Sequence, residues 1–238
     1  MSISTSTLGA LGPSTASSEL AKSIAESGML SDQVVALLYR ELVSGRLQQG
    51  HPINEAQLAR ELGISRNPIR EAVRRLEERG LLVSTPRRGT AVRTFTKADI
   101  DDIFSFRIAL ESLALQQGLP RMTAADHAGL SAIVDAMVAA AAANSEVGLI
   151  ENDIAFHRRI CELSGNRQTL RAFDNINGET RLLIALIERQ FESLHDAAID
   201  HIPVAQAIAT GDVDQAVATV REHIEASWRL TSASYDTK

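Results

Sequence analysis

Residues 53–93, INEAQLARELGISRNPIREAVRRLEERGLLVSTPRRGTAVR, constrain this chain more than any other stretch. Leu58 and Leu62 lie one turn apart on one helical face, and Gly63-Ile64-Ser65 breaks that run. Ser65 stands where its hydroxyl can accept from an N–H one turn into a second helix. Pro68 follows in the first turn, where a missing N–H costs nothing. Ile69, Val73 and Leu76 make the buried stripe of that helix, while Arg66, Arg70 and Arg74 recur every four residues as a basic ridge starting at its N-terminus. Such a helix has the form that reads DNA: its first residues meet base edges and its flanks meet phosphates. Residues 82–93 then predict a short two-stranded wing turning at Pro86-Arg87-Arg88-Gly89.

The run LxxxLGISRNPIREAVRRLEERGLL, followed by Arg88-Gly89-Thr90, resembles the winged helix-turn-helix of the GntR family of bacterial transcription regulators. The resemblance implies that Arg66, Asn67, Pro68 and Arg70 approach an operator, with Gly89 at the wing tip. Ser65 at the helix start and Arg88 and Thr90 beside Gly89 complete the expected DNA-binding set. Arg66 or Arg70 has the geometry to bind a guanine edge in bidentate fashion. For Arg74, Arg75 and Arg79, ion pairs with Glu71, Glu77 or Glu78 are as good a reading as DNA contact.

A net charge of -6 at first looks wrong for a DNA binder. Residues 60–93, however, carry nine Lys/Arg against four Asp/Glu, and residues 96–238 carry 12 against 21. The basic charge is concentrated where the motif needs it. Aromatics at 4% argue against a base-stacking single-strand binder. One cysteine rules out an intramolecular disulfide framework and fits a reducing cytoplasm. The N-terminus has no basic segment followed by an apolar block, so no signal peptide is expected. Nor does any apolar run approach the roughly 20 residues of a membrane span. The expectation is therefore cytoplasmic, without a membrane partner.

The organisation expected is a disordered arm over 1–27, the DNA-binding domain over 28–95, a helical domain over 96–232 and a tail over 233–238. The first helix should run from about Asp32 to Ser44. Beyond residue 95 the period is helical throughout. Thr96-Lys97-Ala98-Asp99 and Thr123-Ala124-Ala125-Asp126 read as capping boxes opening helices to about Gln117 and Ala143. Further helices are expected at about 146–163, 167–175, 178–193, 196–210 and 213–231. Short connections imply antiparallel neighbours. The fold class is thus mainly α: a winged helix-turn-helix followed by an all-α antiparallel bundle.

Within the bundle, Asp153 and His157 are spaced to project from one helical face. His201 stands ten residues before Gly211 and His223 stands 12 after it, so they are level in an antiparallel hairpin. These three imidazoles and one carboxylate could converge on one divalent ion. Zinc is the leading expectation, and nickel, manganese, iron or cobalt also suit such donors. For Asp153 and His157 alone, an ordinary surface pair is the commoner arrangement. His51, His127 and His195 read as ordinary polar residues, and Cys161 as a buried small hydrophobe.

The pieces NDIAFHRRICELSGN and GDVDQAVATVREH, with the segment from His201 to Gly211, resemble the effector-binding FCD domain of the FadR-type branch of the same family. The resemblance implies Asp153, His157, His201 and His223 as metal ligands. It also implies a homodimer, a palindromic operator and a small organic, sugar or amino acid effector. Arg107, and less directly Asn177 and Arg181, are candidates to hold that acid. Arg107 equally fits an i, i+4 pair with Glu111. Two other readings remain open at this level. One is a metal-dependent enzyme acting on a small organic acid, for which no HExxH-type base is marked. The other is a regulator whose metal is purely structural or is itself the signal; in the main reading the resemblance implies a repressor more often than an activator.

Overall fold

The computed structural model describes residues 30–188, 191–233 and 235, so the arm expected over 1–27 and most of the expected tail lie outside the described residues. The chain divides into two compact units, Met1–Thr94 and Phe95–Lys238.

In the first unit α1 (Leu30–Val43) packs against α3 (Arg66–Glu78), which α2 (Glu55–Leu62) precedes. The expected apolar positions are buried: Leu58 and Leu62 on α2, and Ile69, Val73 and Leu76 on α3. Asn54 caps α2 by accepting from Gln57 N–H at 3.0 Å. Gly63 closes α2 at φ 67°, in the left-handed region where glycine carries no Cβ penalty. Ser65 holds the N-cap position of α3 in extended backbone, but its side chain makes no capping bond. Pro68 occupies the third helical position and so removes one of the two N–H groups that such a cap binds.

The wing is a three-stranded antiparallel sheet in the order β1-β3-β2, not the two-stranded ribbon expected. β2 (Leu82–Thr85) pairs with β3 (Gly89–Val92), from Leu82 opposite Val92 to Thr85 opposite Gly89. β1 (Pro52–Ile53) adds to the other edge, with Ile53 opposite Thr90. Two residues are too short to show an alternating pattern in sequence.

The second unit is helical, and both capping boxes form. Thr96 and Asp99 open α4 (Lys97–Gly118), and Thr123 and Asp126 open α5 (Ala124–Ala142). A 3-10 turn at Leu119–Arg121 separates them. α6 (Glu146–Leu163) follows. The break expected near residue 176 is absent: α7 runs unbroken over Arg167–Glu188. Gly178 is buried inside α7, and packing against α4 and α6 overrides the local preference of Asn175, Asn177 and Gly178 for a turn. The helix expected over 196–210 is instead split into α8 (Leu194–Ile199) and α9 (Ile202–Ala209). Pro203 explains the split, since its ring clashes with the carbonyl four residues back and offers no N–H to it. α10 (Val213–Ala233) closes the order.

α4 is the central element, packing against α6, α7 and α10, while α5 packs on α6, α8 and α9. By length and composition α5 is apolar enough to cross a membrane, contrary to the expectation from sequence, because a run of alanines carries its hydropathy. Its larger residues Leu130, Val134 and Met137 are buried in the unit.

Gly118 does more than end α4. A Cβ there would sit 2.8 Å from the Leu163 carbonyl oxygen and 3.0 Å from Ser164 Cα, both backbone atoms of the α6 terminus. Gly118→Ala should therefore force the two helix ends apart and cost about 1–3 kcal/mol. Thermal denaturation checks this, and an unchanged or raised Tm would contradict the close approach.

Candidate functional site

α3 presents Arg66, Asn67 and Arg70 to solvent beside the exposed Ser65, with Pro68 half-buried behind them. Among the described residues neither Arg66 nor Arg70 enters a salt bridge. Arg74 behaves differently, bonding Glu71 at 2.7 Å and also Glu78. Arg75 reaches Asp32 of α1 at 2.5 Å, not a glutamate of its own helix. The basic ridge thus has two parts: guanidiniums at the helix start without ion-pair partners, and neutralised ones further along.

At the wing tip Arg88 N–H bonds the Thr85 carbonyl, Arg87 takes φ 67° and Gly89 φ 83°. Arg88 is exposed, while the Thr90 hydroxyl shares a 2.7 Å hydrogen bond with Ser84 across the ribbon.

In the bundle, His157, His201 and His223 come together, with donor atoms all within 4.8 Å of one another. Their rings are 4.5–5.5 Å apart, centroid to centroid. His157 comes from α6, His201 from the joint between α8 and α9, and His223 from α10. Asp153, one turn before His157, places Oδ2 3.3 Å from His201 Nε2 and Oδ1 3.7 Å from His157 Nε2. The split at Pro203 matters here, because it leaves His201 at a helix joint instead of mid-helix. His201 Nδ1 lies 3.3 Å from the Ala197 carbonyl, which leaves Nε2 facing the cluster.

Sequence reasoning passed over two residues of this site. Glu111 of α4 is fully buried, with Oε2 2.6 Å from His157 Nδ1 and Oε1 3.2 Å from Arg107 Nε. Asp200 lines the cavity next to His201 and lies 2.9 Å from His223 Nδ1. Glu111 appeared in sequence only as a partner for Arg107; its position one turn further along the buried face of α4 was the available signal.

Arg107 is both paired and site-lining: its Nε bonds Glu111 and the side chain borders the same cavity as Asp153 and the histidines. Asn177 and Arg181 are not brought there. Arg181 grips Glu151 through Nε at 2.9 Å and Nη2 at 3.1 Å, and Nη1 bonds Asn177, so both are engaged away from the histidines. The cavity is small, about 20 Å³, which holds a water or an ion and not an organic acid.

Burial dominates the electrostatics. It raises Glu111 to about 7, while the Arg107 charge and hydrogen bond limit the rise. It also lowers His157, helped by Arg107, and lowers His223, helped by His201. For Asp153, burial pulls upward but the charges of His201, His157 and Arg107 prevail and hold the carboxyl well below its usual range. His201 is raised because Asp153 and Asp200 outweigh its burial. Among the described residues, Asp153 Oδ1, His201 Nε2 and His223 Nδ1 are buried without a well-formed hydrogen bond, although His201 Nε2 lies 3.3 Å from Asp153 Oδ2 and His223 Nδ1 lies 2.9 Å from Asp200 Oδ2. Buried polar atoms of this kind are costly unless something binds them. A divalent cation fits this donor set of three imidazoles and one carboxylate.

Comparison with known proteins agrees with this layout. Residues 30–92 match the model described as "Bacterial regulatory proteins, gntR family", and residues 102–226 match the FCD domain. The chain belongs to the GntR family, with an FCD domain. It is 30% identical over 206 residues to the "Probable D-xylose utilization operon transcriptional repressor" of Paenarthrobacter nicotinovorans, covering 86% of this chain and 90% of that one. It is 26% identical over 218 residues to the "Glc operon transcriptional activator" of Escherichia coli K12, covering 77% and 86%. The solved structure of E. coli McbR/YncC shares the fold, with a TM-score of 0.67 at 20% identity, covering 88% of this chain and all of that one. This GntR-family protein is a DNA-binding transcription regulator, not an enzyme.

Cys161 lies one turn beyond His157 but does not line the cavity. Burial pushes its thiol far above the usual range, so the reactive thiolate is suppressed. In native buffer at pH 8 a disulfide reagent such as DTNB should find no thiol; in guanidinium it should find one. Prompt reaction of the native protein would refute the buried placement.

Proposed function

We propose that this regulator is a dimeric, metal-containing repressor that reads a palindromic operator and releases it when a small carboxylate binds in the FCD domain. The single observation that carries the sensory half is the shared cavity. Asp153, His157, His201 and His223 turn donor atoms into it, three buried polar atoms there lack a well-formed hydrogen bond, and Arg107 borders it. Those four residues would hold the ion, zinc first among the candidates. The ion supplies a positive centre able to accept a carboxylate oxygen. Arg107 would receive the other end of the acid, since a guanidinium pairs with carboxylates in a fixed fork. An organic, sugar or amino acid satisfies that chemistry. Because the cavity holds little more than an ion, acid binding must widen it. That displacement would bias the equilibrium between operator-binding arrangements.

The DNA half rests on Ser65, Arg66, Asn67, Pro68 and Arg70 at the start of α3 and on Arg88, Gly89 and Thr90 at the wing. Two-fold symmetry of a dimer implies a palindromic site. Repression is the role named for the Paenarthrobacter relative. A cytoplasmic location follows from the work of a DNA-binding regulator.

Arg70→Ala should weaken operator binding on the order of ten- to hundredfold, as loss of a bidentate base contact does. Arg74→Ala should matter much less, because Arg74 is already engaged by Glu71 and Glu78. Fluorescence anisotropy with DNA from the region upstream of the protein's own reading frame measures both. Equal effects of the two substitutions would remove Arg70 from the readout set.

Zn2+ added to chelator-treated protein should raise Tm, because ligation of the native state alone adds to stability. His201→Ala should abolish most of that increment. A variant with full Zn2+ content would refute the ligand assignment. A screen of carboxylic acids by thermal shift, with and without metal, then separates an effector that touches the ion from one bound beside a structural metal.

A further inference from the structure

The metal reading explains Asp153 and the three histidines but leaves Glu111 without a task. A glutamate with no exposed surface, in the centre of a helical bundle, needs one. Both of its oxygens are committed: Oε2 lies 2.6 Å from His157 Nδ1 and Oε1 lies 3.2 Å from Arg107 Nε. It therefore has no oxygen turned toward the cluster, unlike Asp153, whose two oxygens face His157 and His201. Glu111 is not a fifth ligand.

We infer that Glu111 is a positioning residue: it fixes His157 in the tautomer that carries its proton on Nδ1, and it ties Arg107 to that same imidazole. This rests on the metal reading above and deepens it. A neutral imidazole has one N–H, and whichever nitrogen carries it cannot ligate a metal. His157 turns Nε2 toward Asp153 and Nδ1 toward Glu111, so an imidazole that ligates through Nε2 carries its proton on Nδ1, where Glu111 Oε2 at 2.6 Å is placed to accept it. His201 reaches the same state by a weaker route, through the Ala197 carbonyl at 3.3 Å. The second oxygen of Glu111 adds something His201 lacks. Through it, the side chain proposed to hold the acid is bonded to the group that orients a metal ligand, so movement of Arg107 on acid binding would disturb His157 without any contact between acid and His157.

Glu111→Gln is a sharp test because it inverts the tautomer while keeping the shape. Arg107 can only donate, so the amide oxygen must turn to Arg107 and the amide NH2 to His157 Nδ1. The proton then moves to His157 Nε2, the atom needed by the ion. Zn2+ affinity of the full chain, measured by competition with a chromophoric chelator, should fall about 10- to 100-fold. Circular dichroism of the metal-free variant establishes that it is folded. Histidine 15N–1H spectra of metal-free wild type provide a readout that needs no folded variant at residue 111. They should show His157 protonated on Nδ1, with the signal identified by its loss in His157→Gln. A wild type that binds Zn2+ alongside an E111Q that binds equally well would overturn the role of Glu111 alone. So would a His157 protonated on Nε2. A wild type that takes up no Zn2+ would overturn the metal reading and this inference with it.

Discussion

The bundle depends on a cluster of ionisable groups that cannot be buried singly. Arg107, Glu111, Asp153, His157 and His201 are each at most 9% exposed. An isolated charge at such depth would cost several kcal/mol or lose its charge. Here the guanidinium balances one carboxylate, the imidazoles surround the other, and four segments of chain must be in place before any of them is satisfied. Removing one partner leaves the rest exposed to the same penalty, so the cluster ties α4, α6, the α8–α9 joint and α10 to a single arrangement. The aromatic neighbourhood reinforces it: Phe156 sets its ring edge-on to His157 and His201, and Trp228 donates to Asp101 while lying parallel to Phe104.

That arrangement is suited to sensing. Among the described residues, Asp153, His201 and His223 each keep a buried polar atom without a well-formed hydrogen bond, and all three residues line one cavity. Buried polar atoms without partners in a native protein call for an explanation, and a bound water or ion is one. In the first unit the same logic appears on the surface. Arg74 and Arg75 are neutralised by carboxylates, while among the described residues Arg66 and Arg70 at the start of α3 have none.

Departures of the structure from the sequence reading have specific local causes. The missing Ser65 cap goes with Pro68, which removes one of the two N–H groups it would bind. The division of the 196–210 segment traces to Pro203, a signal present in the sequence but outweighed by the helical period around it. The continuity of α7 through Asn175, Asn177 and Gly178 reflects tertiary packing, which no local pattern reports. Arg181 and Asn177 share a helical face as their spacing implies, but Glu151 of the neighbouring helix captures Arg181 and draws both away from the cavity.

Periodicity, capping boxes and charge distribution determined by themselves that this chain has a helix-turn-helix with a wing and then an antiparallel bundle. Each of these follows from interactions within a turn or two of chain. The level placement of His201 and His223 was also legible, since it needs only the Gly211 turn as a reference. Which carboxylate stands behind His157, which arginine borders the cavity and which histidine nitrogen is bare were decided only by the tertiary structure. Those features arise between helices far apart in sequence: Glu111 and His157 are 46 residues apart, and their contact depends on the packing of α4 against α6. Helical spacing fixes the face from which a side chain projects, but not its partner on the opposing helix.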